Sequence, residues 1–200
     1  MLRNKHNIFT ITAMVLVAVV SQSCSKASAS SERRYDFPNI FDISYTPDTL
    51  HRHYGLFTDA GSWIGFTPPE KEKWINGFCG PYSIDMNRRE WLAKCAVTVS
   101  GMDSGISLKD SVCYYPGELV ISSEYKNGAI TQRLNFIDAN TMLLTIDNSL
   151  PGGLAFTGDG WAAEMKLSQT GNSVISVHPT GETAVITFPQ NVKLNVDNGN

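Results

Sequence analysis

From Trp91 onward, apolar and polar positions alternate in short runs that turn residues cut at regular intervals. That pattern is the signature of strands with one face buried. Trp91 to Ser100 sets Ala93, Cys95, Val97 and Val99 on alternate positions and stops at Gly101. Glu118 to Tyr125, Ala129 to Ile137 and Met142 to Ile146 then predict a three-stranded meander, turned at Lys126-Asn127-Gly128 and Asp138-Ala139-Asn140. Asn-Gly supplies positive φ at little cost and favours the type I′ hairpin. After the break at Pro151-Gly152-Gly153, Ala162 to Leu167, Ser173 to His178 and Thr183 to Phe188 read as three more strands. No segment sustains a 3.6-residue period, so helical turns are expected only in Pro69 to Trp74 and Met86 to Leu92. The fold class that follows is all-β, an antiparallel β-sandwich.

The first residues follow a different rule. Arg3 and Lys5 precede an apolar run from Ile8 to Val20, too short to span a bilayer comfortably, as in an export signal. Ser21-Gln22-Ser23-Cys24 resembles the lipobox of bacterial lipoproteins, with Ser21 where leucine is commoner. The likeness implies that Cys24 is acylated and becomes the mature N-terminus, and the plainer alternative is a cysteine beside an ordinary cleavage site. The expected organisation is a signal peptide over 1–23, a polar tether over 24–34 and a β-sandwich domain over 35–200. Acyl chains at about 0.8 kcal/mol per buried CH₂ would hold such a protein on a membrane, in the periplasm or at the outer membrane.

Charge and cysteines narrow the partners. Sixteen Lys and Arg against nineteen Asp and Glu leave no basic excess for phosphates, which argues against nucleic acid. Cys79, Cys95 and Cys113 cannot all pair within one chain, none lies in a CxxC, and no His sits at metal-ligand spacing beside them. They read as small core residues, of which one pair could bridge in an oxidising compartment. No metal and no cofactor is expected.

Residues 35–90 hold few clean strands and an aromatic stretch from Trp63 to Trp74, so binding is expected there rather than on the scaffold. The most distinctive run is Phe57 to Phe66, read as Phe-Thr-Asp-Ala-Gly-Ser-Trp-Ile-Gly-Phe. Its glycines, Gly61 and Gly65, allow a sharp turn or close backbone approach. Trp63 and Phe66 offer flat faces to a sugar ring, and Asp59 could accept hydroxyl hydrogen bonds. Equally, the two rings could be core and Asp59 a turn cap.

Phe57, Asp59, Gly61, Trp63 and Gly65 resemble the Phe-x-Asp-x-Gly-x-Trp-x-Gly motif of the N-terminal domain of bacterial glycoside hydrolase family 63 enzymes, which are α-glucosidases. Gly77-Phe78-Cys79-Gly80-Pro81, Trp91-Leu92-Ala93 and the stretch from Tyr115 to Ile146 follow that domain in order, so the likeness runs from about residue 35 to the C-terminus. Ile64 departs from it, since members often carry His there. The resemblance implies a super-β-sandwich-like domain, incomplete at Asn200, that braces an (α/α)₆ barrel holding the catalytic carboxylates. It implies inversion at an α-glucosidic bond, with Asp59, Gly61, Trp63, Gly65 and Phe66 at the sugar pocket or the domain contact.

Glycoside hydrolysis needs two carboxylates about 5–5.5 Å apart for retention or roughly 6.5–9.5 Å for inversion. Asp59, Asp85, Glu90, Glu118, Asp159 and Glu164 form no recognisable pair in the sequence, and Glu118, Glu124 and Glu164 read as solvent-facing strand residues. His51 and His53 flank Arg52 in a loop, and His178 ends a strand. No catalytic residue is therefore assigned. The expected function is the non-catalytic part of a glycosidase, with a catalytic barrel, an oligosaccharide and a membrane as partners. A stand-alone carbohydrate-binding lipoprotein and an inactive truncated product are the alternatives.

Overall fold

The computed structural model describes residues 14–21, 44–45, 56–58, 61–69, 74–84, 90–102, 105–179 and 181–196. Among them are thirteen strands and no helix. In chain order these are β1 (Met14–Ser21), β2 (Ser44–Tyr45), β3 (Ile64–Thr67), β4 (Cys79–Ser83), β5 (Ala93–Gly101), β6 (Lys109–Tyr115) and β7 (Glu118–Tyr125). They continue with β8 (Gly128–Asp138), β9 (Thr141–Asn148), β10 (Leu154–Trp161), β11 (Lys166–Thr170), β12 (Ser173–Val177) and β13 (Thr183–Thr187).

The meander expected over 118–146 is present as β7-β8-β9, at the centre of a nine-stranded sheet ordered β11-β12-β13-β1-β9-β8-β7-β6-β2. A four-stranded sheet ordered β10-β5-β4-β3 makes the second layer. Alternation decides what lies between them. Leu119 and Ile121 on β7, Ile130 and Leu134 on β8, and Met142, Leu144 and Ile146 on β9 are buried on one face. Val97 and Val99 on β5 join them in a single core. Each fully buried Leu, Ile or Met side chain contributes about 1.5–3 kcal/mol.

Pairing is antiparallel except at three joints. The strand β1 pairs in parallel with β9 on one side and β13 on the other, and β4 meets β5 in parallel at Gly80 and Cys95. An uninterrupted apolar run suits an interior parallel strand, and MVLVAVVS is such a run. It is also part of the run that reads as the apolar heart of an export signal.

Several local expectations change. Tyr125 pairs with Gly128, so the hairpin turn is Lys126-Asn127 and the glycine opens β8 at φ +151°. A Cβ there would lie 2.7 Å from the Ser149 carbonyl oxygen, which explains the glycine. The strand expected over 162–167 starts later, at Lys166, and β10 runs through Leu154–Trp161 instead. Gly158 and Gly160 hide β10 from an alternation test, while its register shifts between Thr157 and Asp159 as it follows β5. The helical turns expected near 69–74 and 86–92 fall largely outside the described residues. Cys79 and Cys113 are half-buried, and Cys95 is buried with its Sγ 3.2 Å from the Val97 carbonyl oxygen.

The β8–β9 turn carries one pH-sensitive contact. The backbone N–H of Asn140 donates to Asp138 Oδ1 at 2.7 Å. That bond first, and the Thr141 hydroxyl second, hold the Asp138 carboxyl below its usual range. Its stabilising contribution is present above the unfolded value of about 3.9 and is lost as pH falls through the folded value. Asp138→Asn should therefore flatten the acid limb of stability against pH, with a slightly lower urea midpoint at pH 7 and little change near pH 3.

Candidate functional site

Phe57 and Phe66 pair at the base of the run with both side chains buried, while Thr58 and Gly61 are exposed. Phe57 N–H donates to the Phe66 carbonyl at 2.7 Å and Phe66 N–H returns the bond at 2.9 Å. The Phe57 ring crosses to the larger sheet, 5.5 Å from Phe136 and 6.5 Å from Tyr114 between centroids. Gly61 turns the tip at φ +71°. Gly65 is buried, and a Cβ on it would sit 2.3 Å from Leu56 Cγ, so any larger residue there would have to displace the Leu56 side chain.

The two rings singled out in the sequence part company here. Phe66 is 3% exposed and belongs to the core, whereas Trp63 is 58% exposed. Ile84 N–H donates to the Trp63 carbonyl at 2.7 Å, which puts Trp63 beside the end of β4. From the other side Trp91, 45% exposed, bridges to Tyr82, with ring centroids 4.9 Å apart and nearly edge-to-face. Two open indoles and one half-buried phenol thus flank the same end of β4. The sequence reading named Trp63 but missed Trp91 and Tyr82, because only the strand pairing brings them alongside. Cys24, His51, His53, Asp59 and Asp85 lie outside the described residues, as does the Asp159 side chain.

The carboxylates have structural work. Glu118, expected to face solvent, is buried, and Arg133 lies between it at 3.6 Å and Asp147 at 3.5 Å. A buried charge is tolerated because a guanidinium accompanies it. Asp110 accepts from Ser107 at 2.8 Å and meets the Ser123 hydroxyl at 2.5 Å. Ser123 is also 2.6 Å from Asn76 Oδ1, to which the Trp74 indole N–H donates at 3.2 Å, and Asn76 in turn reaches Tyr125. This network ties the 74–76 loop to β6 and β7. His178 is buried between Glu90 at 3.9 Å and Glu182 at 3.5 Å, and so fastens the β12–β13 turn to the start of β5. Glu124 meets Lys109 at 3.9 Å in the open, where such a pair contributes little.

A trough of about 550 Å³ runs between β10 and residues 189–196. Leu154, Phe156, Val174, Phe188 and Leu194 line it, and Lys193 is the single charged residue among its described lining residues. Among its described lining residues there is no carboxylate of the kind that glycoside cleavage uses as acid and base. No group of three His, Cys, Asp or Glu among the described residues could hold a metal ion.

The chain matches no protein-family model, no curated protein and no solved structure. The resemblance to family 63 thus stands on the motif residues alone. What the geometry adds is an anchored hairpin that presents an aromatic surface.

Proposed function

We propose that this chain is the non-catalytic β-sandwich part of a family 63-like α-glucosidase, exported and held on a membrane through Cys24. On this reading the surface around Trp63, Tyr82 and Trp91 docks against a separate (α/α)₆ catalytic barrel and walls one side of its sugar pocket. The observation that carries it is the exposure of Trp63 and Trp91 on a hairpin and bridge that are otherwise well anchored. Exposed indoles on rigid backbone lose little entropy when covered, and tryptophan is enriched among the residues that dominate binding energy. Phe57 and Gly65 hold the hairpin in shape, and Phe66 supports it from the core.

The same indoles favour one second reading, a stand-alone carbohydrate-binding lipoprotein, because sugar C–H faces stack on open aromatic rings. Calorimetric titration of the purified protein with α-linked gluco-oligosaccharides separates the two. The docking reading expects no heat of binding and no glucose release. A dissociation constant abolished by Trp63→Ala would move the assignment to the sugar-binding reading. Glucose released by the wild type but not by Trp63→Ala would overturn both. Trp63→Ala should leave the urea midpoint nearly unchanged, within about 0.5 kcal/mol, since the side chain is mostly in solvent. It should weaken association with the barrel at least about tenfold.

A further inference from the structure

The larger sheet is two antiparallel units joined by one strand. On one side stand β11-β12-β13, on the other β9-β8-β7-β6-β2, and β1 alone pairs with both. Leu16 stands opposite Met142 and Ile186, and Val17 opposite Leu143 and Thr187. The strands β9 and β13 are not hydrogen-bonded to each other, and with one strand between them they lie about 9–10 Å apart. Yet β1 falls within 1–23, the span that the export reading removes.

Removal leaves a slot that cannot simply close. Sliding β13 onto β9 would shift the whole β11–β13 unit by about one strand spacing, about 4.8 Å. That unit is held to the other layer at both ends. Phe188 packs on Phe156 of β10, 5.6 Å between centroids, and His178 reaches Glu90 ahead of β5. Left open, the slot bares two rows of backbone N–H and C=O groups beside Met142, Leu144, Ile146 and Ile186, all at most 2% exposed. Such an edge recruits another strand.

We propose that, once the leader is cleaved, the slot between β9 and β13 is filled by an extended, uncharged, apolar segment of a different protein, not of a second copy of this chain, lying parallel to both strands. The occupant's chemistry follows from the segment seated there now, eight residues without a charge or a proline. It follows too from the walls, where Leu143, Thr145, Val185 and Thr187 are only half-buried and carry no charge to pair with. The proposal rests on the export reading above, and the test keeps the two apart.

The full chain is expressed in a secreting bacterial host and the N-terminus of the exported product is determined by mass. A product that keeps residues 1–23 would overturn the export reading, and the slot with it. If the product starts at Cys24, its proteolysis is followed with and without a synthetic peptide of the Met14–Ser21 sequence, flanked by lysines for solubility. Saturating peptide should slow proteolysis at least about tenfold, because a ligand that binds only the folded state depletes the open one. The same peptide with Ala18→Pro, which lacks a ladder donor, should not. A processed chain that is already resistant and unaffected by the peptide would overturn the slot alone, whether it is a monomer with β9 joined to β13 or a dimer that trades strands.

Discussion

Gly77→Ala is expected to lower the unfolding free energy by about 2–4 kcal/mol, read as a reduced urea midpoint at constant slope. A Cβ at Gly77 would stand 2.4 Å from the Val97 carbonyl oxygen, 2.6 Å from Cys95 Sγ and 3.1 Å from Thr98 Cα. Two of these are backbone atoms of β5, so no rotamer change relieves the clash. Val99 N–H also donates to the Asn76 carbonyl at 2.7 Å, and pushing residue 77 away from β5 would strain that bond. Gly61→Ala is the natural comparison. It has φ +71° but nothing within 4 Å of a new Cβ, so its cost should be the left-handed backbone strain alone, about 1–2 kcal/mol. Equal losses at the two positions would contradict the close approach of the 74–77 loop to β5.

Phe57→Ala should cost about 3–5 kcal/mol, the usual range for deleting a buried aromatic ring. Phe57 is one residue of the motif, and Trp63 is another, yet their expected behaviour is opposite. Phe57 is 8% exposed and packs on Phe136 and Tyr114, so its loss opens a cavity between the layers. Chemical denaturation of Phe57→Ala and Trp63→Ala side by side separates the foundation of the hairpin from its displayed surface. If Trp63→Ala proved the more destabilising of the two, the ring would be part of the core and the docking surface would lose its basis.

The scaffold was legible where burial is one-sided. On β8, Ile130 and Leu134 alternate with the polar Thr131, Arg133 and Asn135, and the sequence places β7 and β8 within a residue or so of their observed ends. On β3, β4 and β10 it does not, for physical reasons. Gly65, Gly80, Gly158 and Gly160 have no side chain to declare a face, and Pro81 interrupts the pattern in a strand held by few ladder bonds. The candidate site was half legible. The hairpin stood out through its glycines and aromatics, but whether a given ring faces in or out depends on which strand lies opposite. Trp63 and Phe66 look interchangeable in the sequence and lie 58% and 3% exposed. Glu118 is the sharper lesson, because a glutamate on the outward side of a strand was expected to be wet and is covered.

The triad Glu118–Arg133–Asp147 has a consequence for strand alignment. A slip of one position along β8 would swing Arg133 to the side of Leu134 and Met142, which hydrophobic alternation already forbids. A slip of two keeps every apolar residue inward, and alternation is blind to it. It would, however, carry the guanidinium about 7 Å along its neighbours and strand the Glu118 carboxylate without its counterion. Arg133 reaches diagonally to both adjacent strands, so one cation distinguishes the even misalignments that greasy side chains tolerate, on both seams at once.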